Sequence, residues 1–375
     1  MNEDKSARYH RLRRRASALS LGAGTALLVG LAASGASLAL RDLAARLGGG
    51  LGPWGTVGVY VLALAALHEL ATLPVSFYRG HVLDWRYGLS RETPRRWLRD
   101  HVRALAVGLV FGLLAAEIAY LLLRRTPDTW WIWAALVFWA ATVGLTQLAP
   151  VLLLPIFYRV TPLARDGLRA RLATLAARAG VPVLGVYEWH LGERSRRANA
   201  ALVGLGWTRR VLLSDTLLAE YADDEIEAVL AHELGHQVHG DIWKALGVEG
   251  GLILAGLVTA DGLLRAFGPV TGLNGPDDVA GLPLLLLGSG LASLVLMPFA
   301  YALSRRHERR ADRFALDLTG RPAAFVAAMR RLASQNLAEE SPSRLVSVLL
   351  HSHPSVGERV AAAAAFAARQ GEEPA

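Results

Sequence analysis

Apolar and polar positions along this 375-residue chain segregate into long blocks. A helix needs about 20 apolar residues to cross a bilayer. Six segments meet that length: about Ala16 to Leu40, Trp54 to Tyr78, Ala104 to Leu123, Thr129 to Phe157, Leu246 to Leu264 and Ala280 to Leu303. The pattern divides the chain into four parts. Residues 1–158 form an N-terminal membrane region with four spans, 159–245 a polar domain, 246–303 two further spans, and 304–375 a polar C-terminal part. The first run follows Arg11, Arg13, Arg14 and Arg15 and is too long for a cleaved signal core, so it reads as a retained helix.

Within the polar parts the periodicity changes. Leu168 to Ala179 has the spacing of an amphipathic helix, and Val181 to Tyr187 reads as a strand. Asn199 to Leu205 and Arg210 to Leu213 read as two short strands separated by Gly206-Trp207-Thr208. Ser214-Asp215 is a cap for a helix starting near Thr216, and a second helix covers roughly Asp224 to Gly240. Ala323 to Leu337 and Gly357 to Gln370 read as helices, with a turn at His351-Ser352-His353-Pro354 between them and fraying expected over the last five residues. Phe267 to Val279 is a Gly/Pro/Asn-rich loop. The fold expected is mainly α: a polytopic helical bundle of about six spans carrying a polar domain with a small β-sheet.

Charge sets the orientation. The segment Arg79 to Arg103 holds Arg79, Arg86, Arg91, Arg95, Arg96, Arg99 and Arg103, a density typical of cytoplasmic loops. With the N-terminus also inside, four crossings return the chain to the cytoplasm at residue 159 and two more at residue 304. Both termini and both polar parts then lie on one side. The net charge of +8 fits such loops and anionic lipid, and no nucleic-acid-binding motif accompanies it. The chain has no cysteine, which removes disulfides, thiolate metal sites and cysteine nucleophiles. His68, Glu69, Glu117 and Asp261 fall inside spans, where ionisable groups are candidates for function or for pairing within the bundle.

The candidate chemistry sits in Ala231-His232-Glu233-Leu234-Gly235-His236. Helical residues four apart share a face, so His232 and His236 can offer two imidazole nitrogens to one metal ion. Two imidazoles, a third protein ligand and an open position suit zinc, and Glu233 beside them is placed to be the general base. A third ligand is available in Ser304 to Asp312, where Glu308 and Asp312 are also four apart. One of the two carboxylates can bind metal while the other accepts the N–H of a ligating histidine. Glu308 as ligand and Asp312 as orienter is the order of zincins whose third ligand is Glu. His239, Asp241 and His307 are the other donors nearby. Counting spans places His232, His236 and Glu308 on the same side, an independent agreement between the charge pattern and the metal spacing. A non-catalytic zinc-containing membrane scaffold or peptide-binding module is the alternative. Three obvious ligands together with Glu233 favour the enzyme. A transporter using the intramembrane acids lacks the internal repeat such folds carry.

Several motifs taken together extend this reading: Leu73 to Tyr78, Ser195 to Ala200, Arg210 to Leu218, His232 to His236, Ser304 to Asp312 and His353 to Arg359. In combination the chain resembles the type I CAAX prenyl endopeptidases, with the HtpX proteases as more distant relatives. The resemblance implies a helical membrane chamber capped by a gluzincin-type peptidase domain. It implies one zinc per chain on His232, His236 and Glu308, Glu233 as base, and a peptide or membrane-protein substrate. It further implies that Asn199 and Ala200 lie on an edge strand that pairs with the substrate backbone. His353 and Arg359 match positions near the scissile carbonyl, where they would stabilise an oxyanion. The chain departs from the pattern in having six spans where eukaryotic members have seven, and Ser355-Val356-Gly357 after His353-Pro354. Its Arg/Ala/Gly-rich composition points to a bacterial cell membrane, where protein prenylation is absent as a rule.

Overall fold

The computed structural model of the chain describes residues 4–152, 154–204, 209–339 and 342–370. The N-terminal part is helical: α1 (Lys5–Ala33), α2 (Ala36–Gly48), α3 (Gly52–Phe77), α4 (Leu83–Arg86), α5 (Pro94–Arg125), α6 (Trp130–Leu152) and α7 (Leu154–Phe157). The first helix stops before the expected Leu40. Gly35 has a φ of 74°, a left-handed conformation that ends α1 and starts α2. With 13 residues, α2 rises only about 20 Å, short of the roughly 30 Å of a hydrocarbon core. It packs instead on the start of α3, where a Cβ on Gly48 would stand 2.3 Å from the Gly55 carbonyl oxygen.

The Arg-rich connection is not a loop over its first part. Helix α3 runs through a π-helical turn at Tyr78–Val82 into α4. Gly80 lies within the π-helical turn without ending the helix, which stops only before Gly88, whose φ is 77°, and Arg has high helix propensity. Helix α5 opens at Pro94, capped by the Thr93 hydroxyl.

The next part holds β1 (Val160–Pro162), α8 (Asp166–Arg178), β2 (Gly185–Trp189), β3 (Ala200–Val203), β4 (Arg210–Ser214), α9 (Asp215–Glu220) and α10 (Asp223–Val238). The strands form one sheet in the order β1-β2-β4-β3. Among the described residues only the β2–β4 pair is parallel, and β3 runs antiparallel to β4 with no neighbour on its other side. The strand expected from Val181 begins at Gly185, because Val181 is already buried against α8. Ser214 caps α9 as its sequence predicts. The expected separator Gly206-Trp207-Thr208 and the last five residues lie outside the described residues.

The chain then re-enters the bundle with α11 (Asp241–Phe267) and α12 (Leu282–Thr319), and ends in α13 (Pro322–Asn336), α14 (Arg344–Leu350) and α15 (Val356–Gln370). Among the described residues six helices are long and apolar enough to cross a membrane, counting Ala36–Arg86 as one. Helix α12 passes unbroken from its apolar half into the charged stretch around Glu308. Small residues bring α11 and α12 together: a Cβ on Gly288 would lie 2.5 Å from the Ala260 Cα. Among the described residues three cores result. One lies inside the bundle around Tyr60, Tyr120 and Trp130; a second joins the sheet to α8, α10, α13 and α15 through Leu172, Val211, Leu213, Phe325 and Phe366; a small third holds Tyr9 of α1 against Leu83, Tyr87 and Leu89. Each fully buried side chain of this size contributes about 1.5–3 kcal/mol.

Helix α10 crosses α12 at Gly235. A Cβ there would stand 3.0 Å from the Ala311 Cα and 3.2 Å from the Phe314 ring, so the two helices are in near-backbone contact. Gly235→Val should push them apart and destabilise the protein by about 1–3 kcal/mol. Thermal unfolding in detergent measures it. Gly247→Val, at a position on α11 with no neighbouring atom within 4 Å, should leave the midpoint unchanged.

Candidate metal centre and substrate cleft

The crossing of α10 and α12 gathers three donors from distant parts of the chain. His232 Nε2 lies 3.3 Å from Glu308 Oε2, and His236 Nε2 lies 3.3 Å from Glu308 Oε1. The two Nε2 atoms are 3.2 Å apart. One donor atom from each residue falls within 4.8 Å of the others, so the set can hold a metal ion. Both rings arrive on one face because they are four residues apart on α10.

The donor set fits a cation on two further observations. Glu308 Oε2 is buried without an aligned hydrogen bond among the described residues, although His353 Nδ1 is 2.8 Å away. An ion-free buried carboxylate oxygen is costly. Burial by itself lowers the His232 pKa, but hydrogen bonds to Asp312 and Glu308 outweigh it and raise it to about 9. The carboxylates around this ring therefore demand a positive charge, which a metal ion supplies in place of the proton.

Each imidazole is oriented from behind. His232 Nδ1 is 2.8 Å from Asp312 Oδ1, the neighbour expected from the sequence. His236 Nδ1 is 3.1 Å from Asp241 Oδ2, a pairing not anticipated as an orienting one. Asp241 opens α11 directly after Gly240, whose φ of 65° turns the chain back on α10. Arg310 and Lys244 hold its other oxygen. The signal for it was an acid at a helix start just beyond the second histidine, which spacing alone does not single out.

A cleft of about 410 Å³ opens onto His232 and Glu308 of this donor set. Its walls include Asn199, Ala200, Glu233, His353 and Arg359, so all five fall at one place. Glu233 is half-buried; burial raises its carboxyl pKa while His232 and His236 pull it back. Ala200 begins β3, the sheet edge, and Asn199 precedes it. His353 is exposed on the loop between α14 and α15. Arg359 meets a different geometry from the one expected. Its Nε donates to Asp312 Oδ2 at 2.9 Å and its Nη2 lies 3.3 Å from His232 Nδ1, so it stands behind the ring.

The intramembrane ionisable residues lie apart from this centre. Glu69 Oε1 pairs with His101 Nε2 at 2.6 Å, and Asp261 accepts from Trp130 Nε1 at 2.8 Å and from Arg265 Nε at 2.7 Å. Glu117 Oε2 is buried without a partner among the described residues. His68 lines two apolar cavities of about 890 and 600 Å³ that together hollow the bundle.

Comparison with known proteins agrees with this geometry. Residues 162–367 match the model of peptidase family M48. Residues 2–159 match the CAAX prenyl protease N-terminal model, described as having five membrane helices. Four helices of spanning length and the short α2 occupy that region here. The Bacillus subtilis metalloprotease YhfN is 32% identical over 311 residues, covering 81% of this chain and 72% of its own. The Saccharomyces cerevisiae CAAX prenyl protease 1 is 29% identical, covering 80% of this chain and 70% of its own. The crystal structure of S. mikatae Ste24p superposes with a TM-score of 0.86 at 23% identity, over 96% of this chain and 88% of that one, and shares its fold. The chain belongs to peptidase family M48 and is an integral-membrane metalloendopeptidase.

Proposed function

We propose that the chain is a zinc endopeptidase with one zinc per chain, acting on extended peptides or membrane-protein segments at the cytoplasmic face of a bacterial cell membrane. One observation carries the reading: His232, Glu308 and Glu233 line a single cleft beside the β3 edge, and His236 completes the donor set within 4.8 Å. Zinc bound by His232, His236 and Glu308 would supply Lewis acidity that polarises the scissile carbonyl and acidifies water. Three protein ligands facing a cleft leave the open position of a catalytic rather than a structural site. Glu233 takes the proton from the attacking water and delivers it to the leaving amine. The substrate backbone pairs with Asn199 and Ala200 at the β3 edge, which fixes an extended segment by main-chain hydrogen bonds. His353, exposed on its loop with Nδ1 beside Glu308, donates to the developing oxyanion. Arg359 acts through Asp312 and so holds His232, a positioning rather than a direct role, supported by its two nitrogens on those groups.

The orientation rests on docking between the two halves. Arg96 pairs with Glu193 at 2.9 Å and Arg194 with Asp100 at 2.7 Å. Arg14 near the N-terminus reaches Glu339 at 2.6 Å. The arginine-rich ends of the spans thus lie on the side of the metal centre, and such ends face the cytoplasm. The yeast relative bears the name of a CAAX prenyl protease. For this chain we propose peptide and membrane-protein substrates without a required prenyl group.

Glu233→Gln should retain zinc and fold but lose about 10²–10⁴-fold in peptide cleavage. Undiminished turnover by that variant, purified free of other proteases, sinks the base assignment. Glu308→Ala should lose zinc and activity together, and metal analysis of the purified variant decides it: zinc held as tightly as in wild type refutes the ligand. Asp312→Ala and Asp241→Ala should each weaken zinc by about 10–100-fold and regain part of their activity when zinc is added. Competition with a chelator, read as residual zinc per chain, measures this, and affinities unchanged from wild type would contradict the orienting roles.

A further inference from the structure

A second charged site lies on the other side of the loop that carries His353. A cavity of about 550 Å³ is lined by Arg305, Arg309, Arg344, Ser347, Ser355 and Glu358. Arg305 is only 9% exposed. Its Nη1 donates to the carbonyls of His351 at 2.6 Å and Ser347 at 3.1 Å, the end of α14. Among the described residues no carboxylate pairs with it, and Arg309 and Arg344 have no ion-pair or hydrogen-bond partner at all. The single carboxylate on the wall among the described residues, Glu358, is already engaged. The Ser355 amide donates to Glu358 Oε2 at 3.1 Å, and the Glu358 amide donates to Ser355 Oγ at 3.3 Å. That reciprocal cap opens α15, whose N-terminal end adds further positive potential.

A guanidinium removed from water without a counter-ion is costly, and carbonyl dipoles offset only part of that cost. Arg309 and Arg344 are exposed at the cavity mouth, and among the described residues three guanidinium groups face one capped carboxylate, which leaves the site net positive. Planar guanidinium forks match phosphate oxygens in pairs. We propose that this cavity binds a phosphate-bearing anion. Its placement favours a lipid headgroup. The apolar run of α12 ends at Leu303, just before Arg305, and Phe299 one turn earlier is 72% exposed. Beside the cavity, α14 exposes Leu345 at 68% and Leu350 at 53%, a surface for an acyl chain. Arginines at that depth sit at the phosphate level of a bilayer. The site is separate from the metal centre, and its binding does not depend on the peptidase reading.

The test uses the full chain in nanodiscs of phosphatidylcholine with or without phosphatidylglycerol, with retained lipid counted by native mass spectrometry. A parallel arm titrates inorganic phosphate into detergent-purified protein. Wild type should retain phosphatidylglycerol over phosphatidylcholine. The double variant Arg309→Gln/Arg344→Gln should lose that retention by about tenfold or more, the loss expected from one charge-assisted hydrogen bond. Arg309→Lys/Arg344→Lys keeps the charge but not the fork and should bind between wild type and the Gln pair, which separates loss of the site from loss of the fold. Retention of phosphatidylglycerol that phosphate does not displace assigns the site to a headgroup. Saturable phosphate binding that the Gln pair abolishes, without lipid retention, assigns it to free phosphate. The proposal is overturned if wild type binds neither probe above the phosphatidylcholine background, or if the Gln pair binds them as wild type does.

Discussion

The near-backbone contact of α10 with α12 at Gly235 and Ala311 is the constraint on which the site depends. The two histidines and Glu308 are separated in the chain by two membrane spans. No local interaction can set the distance between them. A helix crossing can, because α10 and α12 are rigid over several turns and meet where a side chain larger than hydrogen does not fit. The same α12 is packed along its apolar half against α11 through Gly288 and Ala260. The position of Glu308 is therefore inherited from the membrane bundle, and the peptidase centre is built partly by lipid-embedded packing.

Around the donors, charge is arranged in layers. Each imidazole faces a carboxylate on its far nitrogen, Asp312 for His232 and Asp241 for His236. Each of those carboxylates is in turn held by cations: Arg359 on Asp312, Arg310 and Lys244 on Asp241. These links fix ring orientation at a buried site, where an unpaired carboxylate would be costly. They also tie the centre to α11 and α15, so four helices contribute to a site whose motif occupies one.

The junction between the halves uses the same chemistry at lower stakes. Arg96 and Asp100 of α5 and Arg14 of α1 dock on the polar part through exposed and half-buried ion pairs with Glu193, Arg194 and Glu339. Pairs of this kind contribute little each, and several together fix the polar domain over the bundle mouth. Inside the bundle Glu69 and Asp261 find partners within reach, which accounts for their presence at membrane depth without a transport role.

The spans, the arginine-rich ends, the histidine pair and the Glu308–Asp312 spacing were all legible in the sequence. Each is a local property: apolar length, charge density, or the four-residue repeat that puts two side chains on one helix face. The overshoot past Ala33 and the helix read as loop at Arg79 to Arg86 came from the same source, since hydropathy reports burial in lipid and not where a helix stops. The short elements β1 and α14 carried too few residues for a period to emerge. The pairing of Asp241 with His236, the turn of Arg359 onto Asp312, and the convergence of Arg305, Arg309 and Arg344 belong to the tertiary structure alone. They join residues far apart in the chain, and the angle at which packed helices cross, which decides such meetings, is fixed by side-chain interlock that no one-dimensional pattern records.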